Sequence, residues 1–246
     1  MQQDLNKRPA NSLLRFIRPD DYQLIAPHIE TVRLSQGDRL YAAGEAVETV
    51  YFPCGPSLVS FLISSEDGQD VEVIMVGREG AVGGIVSQGR LPAYSRIMVK
   101  FDGPFARLRV ARLETAKASS PALANLFARY ADCMLAQMFQ SAACNAIHSI
   151  EQRSAKWIVA AIERTGSDFL PLTHEELSTM LGVGRSYTSR VMQIFKAEGI
   201  LETRRGALVI RDRDALRARA CGCNEQVKAH FDDVLRGVYP TPGSHL

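Results

Sequence analysis

The 246 residues leave room for one or two domains of ordinary size, and 46% of them are hydrophobic, enough for sizeable cores. This excludes a disordered or collagen-like chain. Lys and Arg number 29 against 27 Asp and Glu, a net +2 that argues against a nucleic-acid partner unless positive charge is concentrated locally.

The opening MQQDLNKRPANS is polar, without the apolar core of a secretory signal, so none is expected. No uncharged apolar run approaches the roughly 18 residues of a membrane span. Cys54, Cys133, Cys144, Cys221 and Cys223 are an odd, scattered set with no Cys-x-x-Cys pair. A disulfide scaffold is therefore not expected, and a reducing cytoplasm is the simplest compartment.

From about Val32 to Val110 the pattern predicts short strands punctuated by glycine, the signature of a sandwich or barrel. Asp67-Gly68 between LVSFLIS and DVEVIMV predicts a hairpin, because that pair tolerates the positive φ of a tight turn. The pattern changes near Arg112. Ser120-Pro121 reads as an N-cap and first helical residue. Leu123, Phe127, Tyr130, Met134 and Met138 then recur at helical spacing, with no Pro or Gly until Gly166. The stripe is either a helix packed on its own domain or, since its length outruns the β region, a dimerisation helix; the second reading is favoured, and alanines at 124, 128, 131, 136, 142, 143 and 146 let another helix approach. A second helix over 151–165 carries Trp157, Ile158, Ala161 and Ile162 on one side, and the residues after Val238 have the composition of a frayed terminus.

Residues 173–210 carry the most chemistry. Thr173-His-Glu-Glu176 is a capping box. Leu177, Met180 and Leu181 form an apolar face, Gly182-Val183-Gly184 stops the helix, and Arg185 begins another that ends at Gly199. In that second helix Val191, Ile194 and Phe195 are expected inward, and Arg185, Ser186, Tyr187, Ser189 and Arg190 outward. A short helix, a Gly turn and a helix with exposed first turns form a helix-turn-helix, whose second helix reads the major groove. Arginine suits that place, because a guanidinium donates to both O6 and N7 of guanine. Two strands around Arg204-Arg205-Gly206 follow as a wing, its arginines aimed at phosphates, with Thr173 and His174 as further phosphate contacts. Between Gly182 and Arg219 nine basic residues face four acidic ones, so the positive charge is indeed local.

The segment LTHEELSTMLGVGRSYTSRVMQIFKAEGIL, with GDRLYAAGE, the Asp-Gly hairpin and GREGAVG, resembles the catabolite-activator / fumarate-nitrate-reduction (CRP/FNR) family of bacterial transcription regulators from about Phe16 to Leu216. The resemblance implies an α+β chain: a cyclic-nucleotide-binding-like β-roll (jelly roll) sensor with its N-terminal tail over 1–115, a long dimerisation helix over 116–150, a winged helix-turn-helix over 151–224, and a C-terminal extension over 225–246. It implies a homodimer on a two-fold operator in double-stranded DNA, with RNA polymerase as a further partner and no membrane. It also implies a regulator and not an enzyme, in keeping with the lack of any nucleophile–base pair, phosphate loop or carboxylate dyad. The other reading of the residues is a ligand-binding or protein-interaction module whose helix-turn-helix does not read DNA specifically.

Three departures qualify the resemblance. Where family members commonly carry Arg-Glu at the start of the recognition helix, this chain has Arg185-Ser186, so their half-site does not transfer whole. Nucleotide-binding members follow a Gly with a Glu for the ribose, and place an Arg eleven residues after that Gly for the cyclic phosphate. Starting at Gly83 puts Gly84 and Tyr94 at those places; starting at Gly84 puts Ile85 and Ser95 there. Arg96 is one residue off, which in a strand turns it to the other face. The effector pocket is thus expected to be degenerate and not to bind cyclic AMP. The N-terminal cysteine cluster of the iron–sulfur members is absent from residues 1–30. Cys221-Gly-Cys223 with His230 offers soft ligands or a redox pair, but a small packed cap is the simpler reading, so no metal or cofactor is expected. His148 lies near the hinge between the long helix and the DNA-binding segment.

Overall fold

A computed structural model describes residues 8–239 except 67, 69 and 90. Three short helical pieces open it: α1 (Ser12–Phe16), α2 (Pro19–Gln23) and a 3-10 turn (Ala26–His28). Seven strands follow: β1 (Glu30–Leu34), β2 (Arg39–Tyr41), β3 (Thr49–Pro53), β4 (Leu58–Ser64), β5 (Asp70–Val76), β6 (Arg96–Phe101) and β7 (Gly103–Arg109). They form an antiparallel sheet β1-β7-β3 and another β2-β6-β4-β5. The β4–β5 hairpin has the strands expected, with Ser64 opposite Asp70. Its connection runs over 65–69 and is longer than a two-residue turn; Gly68 does take positive φ (+76°), and Asp67 lies outside the described residues. Side chains alternate in and out along β6, so Ile97 and Val99 are buried with Phe105 of β7 between the sheets, while Ala106 and Leu108 on the other face of β7 pack in the core under the helices.

Helix α3 (Val110–Ser119) leads into α4 (Pro121–Ile147), 27 residues long. Ser120 caps α4 as expected, accepting from the Leu123 amide, with Pro121 next to it. Leu123, Leu126, Phe127, Tyr130 and Cys133 are buried on one face, which seats the first half of α4 on the roll. The expected inward stripe stops there: Met134 is half-buried, while Leu135, Met138, Phe139 and Ile147 are exposed. Tyr130 is buried, and its hydroxyl both accepts from the Ala81 amide (3.0 Å) and donates to the Ala81 carbonyl (3.1 Å). Tyr130→Phe leaves both backbone groups buried without partners, so it is expected to destabilise the chain by about 1–3 kcal/mol in denaturant titration.

Helix α5 (Ile150–Thr165) begins immediately after α4 without any Pro or Gly. His148 takes an extended backbone, and Ser149 starts a new capping box with Gln152. The rest is β8 (Phe169–Leu170), α6 (His174–Leu181), α7 (Arg185–Ala197), β9 (Leu201–Arg204), β10 (Ala207–Ile210), α8 (Arg213–Arg219) and α9 (Cys223–Arg236). The chain is an α+β fold: a cyclic-nucleotide-binding-like β-roll, a long helix, and a C-terminal winged helix-turn-helix.

The C-terminal residues fold back along the long helix. Arg129 of α4 donates to the Val234 carbonyl (2.7 Å), and the Tyr130 and Phe231 rings meet edge to face. Tyr239, expected in a frayed end, donates to Asp21 (2.7 Å) and packs on Phe16 and Arg18. A large ring with a polar tip finds both an apolar seat and an acceptor there, which overrides the composition of its neighbours. The residues after it lie outside the described ones.

Candidate nucleic-acid interface

Each boundary of the helix-turn-helix is set by a local signal. Thr173 accepts from the Glu176 amide (3.1 Å), and Glu176 accepts from the Thr173 amide (2.8 Å). Helix α6 ends at Gly182 with φ +64°, a conformation that favours glycine. After Val183 and Gly184, α7 starts at Arg185. Its buried side chains are Thr188, Val191, Met192 and Phe195, spaced three and four apart. Ile194, expected inward, is partly exposed, because the buried stripe is centred on Thr188, Met192 and Phe195. Arg185, Ser186, Tyr187 and Arg190 project outward from the first turns, and Ser189 is half-buried.

The wing is the antiparallel pair β9–β10, with Ala207 opposite Arg204, so Arg205 and Gly206 (φ +73°) form the turn. Strand β8 pairs with the other side of β10 and makes a three-stranded sheet. Sequence reasoning missed this strand because it is only two residues long.

Two of the expected phosphate contacts are engaged inside the motif. The Thr173 hydroxyl serves the capping box and also donates to Glu176. His174 Nδ1 lies 3.3 Å from the Ser189 hydroxyl, and burial, assisted by the Arg185 charge, lowers its pKa. A neutral imidazole there joins α6 to α7 and offers phosphate no cation.

The local positive charge is also smaller than the count of residues. Arg211 pairs with Glu202 (2.7 Å), Arg213 with Asp168 (2.6 Å), Arg217 with Glu163 (3.2 Å), and Arg219 with Glu151 (2.9 Å) and Glu198. Helix α8 is therefore largely neutralised by acids that lie outside the basic run. Arg185 and Arg204 have only loose partners, Glu175 at 3.7 Å and Glu202 at 3.8 Å. Among the described residues Arg190, Lys196 and Arg205 have no ion-pair partner within 4 Å. The uncompensated charge thus lies on α7 and at the wing tip.

The motif leans on the roll through contacts that have no sequence signature. Lys100 of β6 pairs with Glu176 (3.0 Å), and Gln36 donates to the same carboxylate (3.2 Å). Burial would raise the Glu176 pKa, but the Thr173 amide and Lys100 outweigh it and hold the carboxyl below its usual range. Trp157 Nε1 of α5 donates to Glu72 of β5 (2.6 Å), which also accepts from Ser60. Burial raises the Glu72 pKa. Leu58, Met75 and Phe101 of the roll belong to the same apolar core as the helix-turn-helix.

The six candidate effector residues have different surroundings. Gly83 takes φ +110°, and a Cβ there would lie 2.3 Å from the Thr49 carbonyl, so only glycine fits. Gly84 packs close to Val110. Ile85 is in the core, and its carbonyl and that of Val86 accept from Lys117 (3.0 and 3.1 Å). Tyr94 is 90% exposed, Ser95 is buried, and Arg96 pairs with Asp70 of β5.

Residues 152–219 match the profile of the Crp-like helix-turn-helix domain. The fold is similar to that of FixK2 from Bradyrhizobium japonicum, at 15% identity over 78% of this chain and 98% of the other, with a TM-score of 0.65. It is similar to the c-di-GMP responsive global regulator CLP of Xanthomonas campestris, at 16% identity over 79% and 100% of the two chains (TM-score 0.63). A CRP-family transcriptional regulator of Thermus thermophilus is 18% identical over 77% and 96% (TM-score 0.63). No curated protein matches the sequence. No described helix is long and apolar enough to cross a membrane.

Proposed function

We propose that this protein is a CRP/FNR-type transcription regulator that binds a two-fold operator in double-stranded DNA as a homodimer. The observation that carries the reading is the coincidence of exposed, uncompensated cations with the two elements that meet DNA: Arg185 and Arg190 on α7, and Arg205 at the wing tip. Arg185, Ser186, Tyr187, Ser189 and Arg190 read base edges, with Ser186 as a donor or acceptor where a carboxylate would only accept. Arg204 and Arg205 hold phosphates. Thr173 and His174 position the motif, a change from the phosphate role first expected of them.

The second half of α4 supports the homodimer, since it leaves Leu135 and Phe139 exposed on a face that the other described residues do not cover. The roll transmits a signal through the Lys100–Glu176 and Glu72–Trp157 contacts. It does so without a cyclic-AMP pocket of the usual design: Tyr94 points to solvent, Arg96 is held by Asp70, and Lys117 occupies the carbonyls of the 85–86 segment. RNA polymerase is the downstream partner, and five free buried thiols suit a reducing cytoplasm.

Selection of genomic fragments by the full-length protein tests the reading. Recovery of a two-fold sequence at nanomolar protein supports it, and purely salt-sensitive background binding defeats it. Within a recovered operator, Arg205→Ala is expected to weaken all sequences alike and to reduce the slope of log affinity against log salt by about 1 per half-site, about 2 for the dimer.

A further inference from the structure

Four side chains that the DNA-binding reading leaves unused meet at one point. Cys144 is in the last turn of α4, and His148 is the residue that ends it. Cys221 and Cys223 flank Gly222 where α8 gives way to α9. The three sulfurs and one His148 ring nitrogen all lie within 4.8 Å of one another. Cys144 Sγ is 3.6 Å from Cys221 Sγ, and Cys223 Sγ is 3.6 Å from His148 Nδ1. All three cysteines are buried and form a small cluster of their own, with His148 half-buried at its edge.

That spacing fits a single ion. Zinc sits about 2.3 Å from thiolate sulfur and about 2.0–2.1 Å from imidazole nitrogen, so a tetrahedral site sets neighbouring donors roughly 3.5–3.8 Å apart. A cluster of several irons needs its ligand sulfurs farther apart than these. We propose that Cys144, His148, Cys221 and Cys223 bind one Zn²⁺ ion in a closed Cys₃His site that fastens the C-terminal helix to the end of the long helix. Binding releases three thiol protons to solvent and changes no oxidation state.

The surroundings suit the net negative charge of such a centre. Gln140 Nε2 donates to Cys223 Sγ (3.2 Å), the kind of outer bond that orients a ligand. Cys223 is also the first residue of the 14-residue α9, where the helix dipole favours a thiolate. The choice of ligands differs from the one Cys221-Gly-Cys223 suggests in sequence. His230 is exposed and two turns along α9, while Cys144 and His148, one helical turn apart on α4, complete the set. A disulfide between Cys144 and Cys221 is the competing use, but it employs two of four converging donors.

The site spans the hinge. The backbone turns out of α4 at His148 and into α5 at Ser149, and Cys221 follows α8, which ends the winged segment. An ion here limits how far the DNA-binding helices rotate against α4.

Full-length protein, reduced and freed of metal by a chelator, is titrated with Co²⁺ and then Zn²⁺. The expected result is one Co²⁺ per chain with thiolate-to-cobalt charge-transfer and tetrahedral ligand-field bands, displaced by one equivalent of Zn²⁺. Cys221→Ser and His148→Ala are each expected to weaken zinc binding by at least about 100-fold, and Cys54→Ser to leave it unchanged. Absence of those bands in the folded wild-type chain overturns the proposal. So does a mass for the freshly isolated chain that lacks zinc and is short by the two hydrogens of a disulfide. Neither result bears on operator binding, which is measured separately.

Discussion

Aspartate at both Leu135 and Phe139 is expected to convert the proposed dimer to monomer and to lower affinity for a two-fold operator by about 10²–10⁴-fold, the advantage gained when two linked modules bind together. In the single chain Leu135 is 46% and Phe139 70% exposed, so much of their apolar area has no partner among the described residues. Ala128, Leu135 and Ala142 are seven residues apart, as are Asp132, Phe139 and Ala146, and the two rows interleave at steps of four and three. In the proposed dimer these rows form a two-helix seam whose small residues permit close approach, with the carboxylate of Asp132 at its N-terminal end. Two carboxylates in place of the two large apolar side chains at its centre remove most of the apolar area and add charge to be desolvated, which opposes association. At these exposed positions the substitutions leave the protomer's own packing intact, so thermal unfolding is expected to change little apart from the lost association. Sedimentation velocity and operator titration by fluorescence anisotropy check both parts. A variant that keeps its dimer mass places the interface elsewhere.

Features with local causes were legible in the sequence. The capping box at Thr173, the left-handed Gly182 and the Arg205-Gly206 turn each act within a few residues, and they delimit α6, α7 and the wing where expected. Strands β4 and β5 were legible because their apolar runs are bounded by turn residues. What was not legible depends on contacts distant in sequence. Cys144 and Cys221 are 77 positions apart, and Cys144 alone looks like any packed thiol on a helix. The neutralisation of α8 needs Glu151, Glu163 and Asp168, all of which precede the basic run of residues 182–219. Lys100 and Glu176 belong to different halves of the chain, and nothing in either neighbourhood announces the other. Helical spacing correctly gave α4 its inward residues up to Tyr130. It could not say where the roll ends, and that limit decides why Met138 is exposed while Phe127 is buried.

Arg185→Ala is expected to cost about 1–3 kcal/mol per half-site and to relax discrimination at one operator position. In a symmetric dimer the two half-sites are far enough apart for the losses to add. Little of this loss can come from folding. The Glu175 partner lies 3.7 Å away, and both side chains are 71% exposed, so the intramolecular ion pair contributes almost nothing. Arg185 also helps to hold His174 neutral, but that imidazole keeps its Ser189 contact without the charge. Arg185→Lys separates the two ways a cation can act. If Arg185 reads guanine by a two-pronged hydrogen bond, lysine keeps the charge but loses the fork, and discrimination falls nearly as far as with alanine. If Arg185 only neutralises phosphate, lysine restores affinity for every sequence alike, and the reading helix must present other side chains to the bases. Operator variants substituted one base pair at a time and titrated at fixed salt distinguish these outcomes. Unchanged affinity for the Arg185→Ala protein removes α7 from the interface altogether.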